Sequence, residues 1–159
     1  MVKKSQEALK VVKQLRKQKK TVAVAESLTG GGLGACLTQI PGSSEIFLGG
    51  VIAYTNGSKT KLLGIPTSLL KKKSAVSEEV AILMAKNIRT YFSSNIGVST
   101  TGVAGPGSAY GQKPGTVWIG ISTKKESFAI ELSLRGDRET VRRETITCAL
   151  AALERILAL

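Results

Sequence analysis

The segment AVAESLTGGGLGACL, residues 23–37, constrains the fold of this chain more than any other. A β-branched strand over 21–25 is followed by Ser27 and a run of glycines, and from Thr29 onward the apolar residues recur at helical spacing. A strand joined to a helix by a short turn is the unit from which helix-covered sheets are built. The segment therefore predicts an α/β fold with a serine at a strand-to-helix joint.

The apolar patterns of the remaining chain continue this alternation. The predicted helices cover 5–18, 29–40, 77–92 and 138–159, a turn and a short helix lie within 56–64, and the predicted strands cover 21–25, 46–55, 95–102, 116–123 and 127–134. Strands that alternate with helices and end in a hairpin indicate a three-layer α/β/α domain with a mixed, mainly parallel sheet. Without an internal repeat or a long linker, residues 1–159 are expected to form a single domain.

The chain contains no histidine. A Ser-His-Asp triad, a Cys-His pair and any imidazole metal site are therefore excluded. Cys36 and Cys148 lie far apart in the sequence, so both are expected to pack as small apolar residues. We expect no metal and no cofactor.

The formal net charge of +12 permits nucleic acid, an acidic membrane surface or a small phosphorylated molecule as partner. The basic clusters at 16–20, 71–73 and 141–143 lack interleaved aromatic residues, and they are typical of a solvated face. Nucleic acid is therefore the least favoured partner. No apolar run approaches the length of a membrane span, and the N-terminus lacks the apolar stretch of a signal peptide, so a cytoplasmic location is expected.

Polar residues follow three of the predicted strands. Ser27 follows the first, Tyr54 and Lys59 of YTNGSK flank a turn at the end of the second, and Thr101 lies in STTGVAGPG at the end of the third. The carboxyl ends of parallel strands form the crevice in which α/β sheets bind ligands. Without histidine, a serine nucleophile needs another base, and a lysine in a dry pocket can serve.

Each of these residues also has a purely structural interpretation. Ser27 or Thr29 can cap the following helix, Lys59 can be a surface lysine, and Tyr54 a half-buried structural side chain. The glycine-rich segment matches neither a P-loop nor a G-x-G-x-x-G motif. The start of the helix nevertheless presents amides near Gly30 and Gly31, which are expected to hold a phosphate or an oxyanion.

Six motifs occur in one order along the chain: AESLTGG, YTNGSK, AVSEEVAILMA, TTGVAGPG, KPGTVWIGI and GDRETVRR. This series resembles the CinA C-terminal domain family, which includes stand-alone nicotinamide mononucleotide amidohydrolases, and the resemblance runs from about Thr21 to the last helix. It implies metal-independent hydrolysis of the carboxamide of nicotinamide mononucleotide to nicotinic acid mononucleotide and ammonia. It also implies a phosphorylated nucleotide as the substrate and a homodimer.

The resemblance further implies the role of each site residue. Ser27 resembles the nucleophile, Lys59 its base and Tyr54 an assisting hydroxyl, while Thr101 matches a position that helps the site. Arg138 matches a residue that meets an anionic group, and Arg142 of the same motif remains the alternative. The substrate contacts expected from the resemblance are Thr29, Gly30, Gly31, Ala104, Gly105, Arg138 and Arg142.

Three departures from the family pattern fall in loops expected to shape the substrate pocket. Ser108 and Ala109 are interposed after GPG, the valine usual between KP and glycine is missing at Pro114–Gly115, and Ser74 replaces the glycine usual before AVS. A non-catalytic nucleotide-binding or regulatory module is the alternative function, and a related amidase for another small amide also stays open. The joint presence of Ser27, Tyr54 and Lys59 favours the enzyme.

Overall fold

The first strand, β1 (Val22–Glu26), lies inside the sheet between β2 and β3. A computed structural model describes residues 5–159 and gives one five-stranded sheet in the order β2-β1-β3-β4-β5. The other strands are β2 (Phe47–Ile52), β3 (Ile96–Gly102), β4 (Thr116–Ser122) and β5 (Ser127–Ser133). β2 and β3 pair with β1 in parallel, whereas β4 pairs with β3 and β5 antiparallel. Four strands thus share one direction, which confirms the predicted mixed, mainly parallel sheet.

Helices cover both faces of this sheet. They are α1 (Gln6–Gln18), α2 (Gly32–Thr38), α3 (Asn56–Leu63), α4 (Thr67–Lys73), α5 (Glu78–Phe92) and α6 (Arg138–Leu157). Val22 and Val24 of β1 pack with α1, α2 and α6, whereas Ala23 and Ala25 pack with α3, α4 and α5. Because successive strand side chains point to opposite faces, β1 is buried on both sides. The predicted three-layer α/β/α architecture is confirmed.

The sheet lies very close to α5, and two glycines make this possible. A Cβ on Gly97 of β3 would lie 2.1 Å from the carbonyl oxygen of Ala85, and one on Gly120 of β4 would lie 2.2 Å from that of Ala81. Real side chains cannot approach a backbone oxygen so closely. The helix α5 therefore packs directly against the backbone of β3 and β4.

Several predicted boundaries differ from the structure. β2 ends at Ile52, three residues before the predicted strand end, and α3 begins at Asn56, where a turn was expected. The Thr55 side chain accepts from the Ser58 amide and so caps α3 inside this segment. The helix α4 was not predicted, because seven residues after Pro66 give no helical period.

The first and last helices pack against each other. Apolar residues of α1, among them Val12 and Leu15, are buried with Leu150 and Leu153 of α6. The apolar surface of these helices is thus used within the chain. Both cysteines are free and half-buried, as expected for packed side chains. No helix within residues 5–159 is long and apolar enough to cross a membrane.

Candidate active site

The three predicted loops meet at the carboxyl end of β1. Glu26, the last residue of β1, pairs with Ile52 of β2 and Thr100 of β3. The Ser27 amide then donates to the carbonyl oxygen of Thr100 at 3.0 Å, and the Ala53 amide donates to that of Glu26 at 2.8 Å. Parallel pairing on both sides of β1 therefore brings the segments after β1, β2 and β3 to one edge, as the sequence predicted.

Ser27 and Lys59 are in direct contact at this edge. Lys59, in the first turns of α3, donates from Nζ to Ser27 Oγ and to the carbonyl oxygen of Ala53, both at 2.9 Å. Lys59 is 1% exposed and Ser27 6% exposed. No ion pair found within residues 5–159 includes Lys59. Burial without a carboxylate partner lowers the pKa of Lys59 from 10.5 to about 8.

The turn after Ser27 is held by a carboxylate that the sequence interpretation missed. The buried Glu26 accepts from the amides of Gly31 at 3.1 Å, Leu33 at 3.0 Å and Gly34 at 2.8 Å. These amides open α2, whose own N-cap residue, Gly31, provides no side-chain bond. A carboxylate at a helix N-terminus is favoured by the helix dipole and by the unpaired amides. The acid that directly precedes the serine in AESLTGG was the available signal.

The expectation that Gly30 and Gly31 offer free amides is corrected by these contacts. The Gly30 amide donates to the carbonyl oxygen of Ser27 at 3.0 Å, and that of Gly31 to Glu26. Both glycines have left-handed backbones, φ 59° and 95°, which the tight turn requires. The Leu28 amide, by contrast, has no hydrogen-bond acceptor within residues 5–159. It belongs to the residue after the serine, the position that supplies an oxyanion donor in hydrolases of the α/β-hydrolase fold.

The threonines near Ser27 are tied to the surrounding chain. The Thr101 hydroxyl donates to the carbonyl oxygen of Ala75 at 2.7 Å, and so joins β3 to the segment before α5. The Thr29 hydroxyl lies 2.8 Å from that of Thr100, which also lies 3.4 Å from the Ser27 amide. Thr29 and Thr101 are both buried, and Thr29 joins the turn after Ser27 to β3. Thr100 was not among the predicted residues.

A cavity of about 160 Å³ opens beside Ser27. Of the predicted residues, Ser27, Tyr54, Ala104, Gly105 and Arg138 line it. The other predicted residues, Lys59, Thr29, Gly30, Gly31, Thr101 and Arg142, lie outside its lining. Lys59 reaches the cavity only through its bond to Ser27.

The two candidate arginines at the start of α6 have different contacts. Arg138 lines the cavity and donates to the Gly105 carbonyl oxygen and to the Tyr54 phenol oxygen, both at 2.8 Å. Arg142 donates to the carbonyl oxygens of Leu28 at 3.0 Å and Thr29 at 3.3 Å. Arg138 therefore presents its charge to the cavity, whereas Arg142 fixes the turn that carries Ser27.

Within residues 5–159, no group of three or more Cys, Asp or Glu side chains is arranged to hold a metal ion.

The fold and the site together define the class: an α/β/α protein with a buried serine–lysine pair at the carboxyl ends of its parallel strands. The chain belongs to the CinA C-terminal domain family, whose model matches residues 4–157. The resemblance noted from the sequence motifs is thereby confirmed.

Individual relatives are similar over most of this chain. A CinA-like protein of Gloeothece citriformis is 49% identical over 151 residues, which cover 92% of this chain and 36% of that protein. The chain spans about a third of the length of the curated relatives it matches.

Solved structures share the fold. The competence damage-inducible protein A (ComA) of Klebsiella pneumoniae is 29% identical with a TM-score of 0.93, over 96% of this chain and 95% of that one. The competence/damage inducible protein CihA of Agrobacterium tumefaciens is 31% identical with a TM-score of 0.90, over 96% of this chain and 94% of that one.

Proposed function

We propose that this chain hydrolyses the carboxamide of nicotinamide mononucleotide to nicotinic acid mononucleotide and ammonia, with Ser27 as the nucleophile. The observation that carries the proposal is the 2.9 Å contact between Lys59 Nζ and Ser27 Oγ. A lysine with a pKa of about 8 has an appreciable neutral fraction near neutral pH, and a neutral amine can accept the hydroxyl proton. The identity of the substrate, nicotinamide mononucleotide, comes from the motif resemblance.

The first half of the reaction forms an ester. The Ser27 hydroxyl gives its proton to the neutral amine of Lys59 while Oγ attacks the carboxamide carbon. The carbonyl oxygen becomes an oxyanion, and the Leu28 amide, which has no acceptor within residues 5–159, is available to donate to it. When the carbon–nitrogen bond breaks, the Lys59 ammonium returns the proton to the departing nitrogen, and ammonia leaves.

The second half regenerates the serine. Water attacks the ester carbon and gives a proton to Lys59, which has been neutral since ammonia left. The same proton then goes to Ser27 Oγ as the ester bond breaks, and the carboxylic acid product is released. Lysine thus acts as base and acid in each half, and no second titrating group is required.

The cavity supports an anionic substrate. Arg138 lines it, and its guanidinium retains donors beyond the two used on Tyr54 and Gly105. A guanidinium matches a phosphate in charge and geometry, and the net charge of +12 favours the approach of such a ligand. In this proposal Arg138, rather than Arg142, meets the substrate phosphate.

The test is to incubate the purified chain with nicotinamide mononucleotide and follow ammonia and nicotinic acid mononucleotide. Ser27→Ala runs beside it, with Ser44→Ala, at an exposed serine, as the matched control. Product from the native chain and the control, and none from Ser27→Ala, supports the proposal. Full activity in Ser27→Ala ends the serine mechanism, and binding without turnover by the native chain favours the non-catalytic module.

The predicted homodimer is also a proposal. β2 lies at the edge of the sheet and exposes Leu48 and Ile52. An unpaired edge strand with apolar side chains is a surface on which a second copy can pack. Sedimentation at micromolar concentration tests this, and a monomer at all concentrations contradicts it.

A further inference from the structure

A tight turn beside the cavity carries an aromatic residue at its tip. Ala109 and Gln112 exchange backbone hydrogen bonds of 3.0 and 2.9 Å, and the two residues between them have φ of 53° at Tyr110 and 72° at Gly111. Two successive left-handed residues are the geometry of a two-residue hairpin turn, for which Asn-Gly is the favoured sequence. A tyrosine in this position is strained, and such strain concentrates at functional sites.

This turn is tethered to the segment before α5. The Ser74 hydroxyl donates to the carbonyl oxygen of Tyr110 at 2.9 Å, and Ser74 itself has a left-handed backbone, φ 76°. Ser74 is in turn held by Ser77, whose hydroxyl donates to its carbonyl oxygen at 2.8 Å. Ser74 and the interposed Ala109 are departures from the family pattern, and the structure places both at this tether.

Tyr110 lines the same cavity as Ser27, as does Tyr54. The two tyrosines are 46% and 49% exposed, so each retains ring surface that a ligand can cover. Arg138 is the cation of this cavity, and the protein as a whole is strongly basic. Once Arg138 pairs with the substrate phosphate, the exposed tyrosine faces are the groups of this cavity that attract a positively charged ring.

We propose that Tyr110 is a specificity-determining residue, which packs its ring against the planar, positively charged pyridinium ring of the substrate. This inference rests on the proposed function, because the ribosyl bond to the ring nitrogen of nicotinamide is what makes the ring a cation. The hydrogen bond from Ser74 to the Tyr110 carbonyl oxygen fixes the turn that carries this ring. The site thereby prefers amides carried on a cationic aromatic ring over uncharged amides.

The experiment measures binding without turnover. Ser27→Ala and Ser27→Ala/Tyr110→Asn are titrated calorimetrically with nicotinamide mononucleotide and with its 1,4-dihydro form, which keeps the phosphate and carboxamide but loses the ring charge. Asparagine preserves the turn because it tolerates the left-handed backbone. Tyr110→Phe retains the aromatic face, and Tyr91→Leu, at a 73% exposed tyrosine of α5, is the control.

We expect Tyr110→Asn to weaken binding of the oxidised nucleotide by about fivefold and to leave that of the dihydro form nearly unchanged. Tyr110→Phe and Tyr91→Leu, each added to the Ser27→Ala parent, should bind both ligands as tightly as that parent does. The pyridinium proton resonances should move upfield on the parent, as expected under an aromatic ring, and move less on Tyr110→Asn. If Tyr110 acted only in folding, Tyr110→Asn would weaken the binding of both ligands equally.

Three outcomes separate this inference from the proposed function. Equal affinity of Tyr110→Asn and the parent for the oxidised nucleotide overturns the inference, whether or not the native chain is active. No binding to the parent overturns it as well. Binding that depends on Tyr110, with no ammonia released by the native chain, supports the inference and overturns the proposed function.

Discussion

Arg138 and Tyr54 are 84 residues apart in sequence, and the guanidinium of the first donates a 2.8 Å hydrogen bond to the phenol oxygen of the second. The other terminal nitrogen of Arg138 donates to the carbonyl oxygen of Gly105, also at 2.8 Å. One side chain from α6 therefore joins the segments after β2 and β3 across the mouth of the cavity. Because the Tyr54 oxygen accepts here, its own proton stays available for a ligand.

The first prediction concerns this bridge. Arg138→Ala should raise KM for nicotinamide mononucleotide by about tenfold, because one charge-assisted contact to the phosphate and both loop contacts are lost. Arg138→Lys should have a KM between those of the native chain and Arg138→Ala, since an ammonium keeps the charge but cannot bridge two loops. Steady-state kinetics provide the measurement, with Arg143→Ala, at an exposed arginine of the same helix, as the control. An unchanged KM in Arg138→Ala would show that the phosphate binds elsewhere.

Removal of the buried amine should abolish most of the activity and leave the fold intact. Lys59→Met is expected to lower kcat by about 10²–10⁴, the usual contribution of a general base. Methionine has a similar length and no charge to desolvate, so the thermal unfolding midpoint near neutral pH should not fall. Single-turnover rates and thermal melts measure the two effects, with Lys61→Met on the exposed side of α3 as the control. Activity retained in Lys59→Met would assign the base to another group.

The pH dependence of activity follows from the same lysine. Its pKa of about 8 means that the reactive neutral form grows about tenfold per pH unit below that value and levels off above it. We therefore expect kcat/KM to rise with pH and to reach a plateau above about pH 8. Initial rates in buffers of constant ionic strength measure this. A profile that is flat through this range contradicts a lysine base.

The pH dependence of stability has a defined sign. Lys59 has a pKa of about 8 when folded and 10.5 as the ordinary value, so between these values the unfolded chain binds more protons. The free energy of unfolding should therefore gain a contribution that rises with pH through this window, whereas below it the buried charge destabilises the fold. Urea unfolding of the native chain and Lys59→Met at several pH values isolates this contribution, because the other lysines titrate in both. Parallel curves for the two proteins would contradict a depressed pKa.

Local sequence patterns were sufficient to place Ser27 and Lys59 at one edge of the sheet. Each follows a β-branched or apolar run, and parallel strands bring their carboxyl ends together whatever the details of packing. The tether between Ser74 and Tyr110 and the contact between Thr101 and Ala75 left no such signal, because each joins segments 26 or more residues apart. Contacts of this kind depend on how α5 sits on the sheet.

Glu26 is the residue whose role most needed the structure, and it gives the last prediction. Its two oxygens accept hydrogen bonds from three amides of the turn and of α2, and it is buried and forms no ion pair found within residues 5–159. Glu26→Gln replaces one acceptor by an NH₂ group that opposes a backbone N–H, so we expect the free energy of unfolding to fall by about 2–3 kcal/mol. The activity of the folded fraction should fall too, since Ser27 is the next residue along the chain. Denaturant unfolding, with the exposed Glu131→Gln as the control, measures the first effect. Equal stability of the two variants would mean that α2 begins without help from this carboxylate.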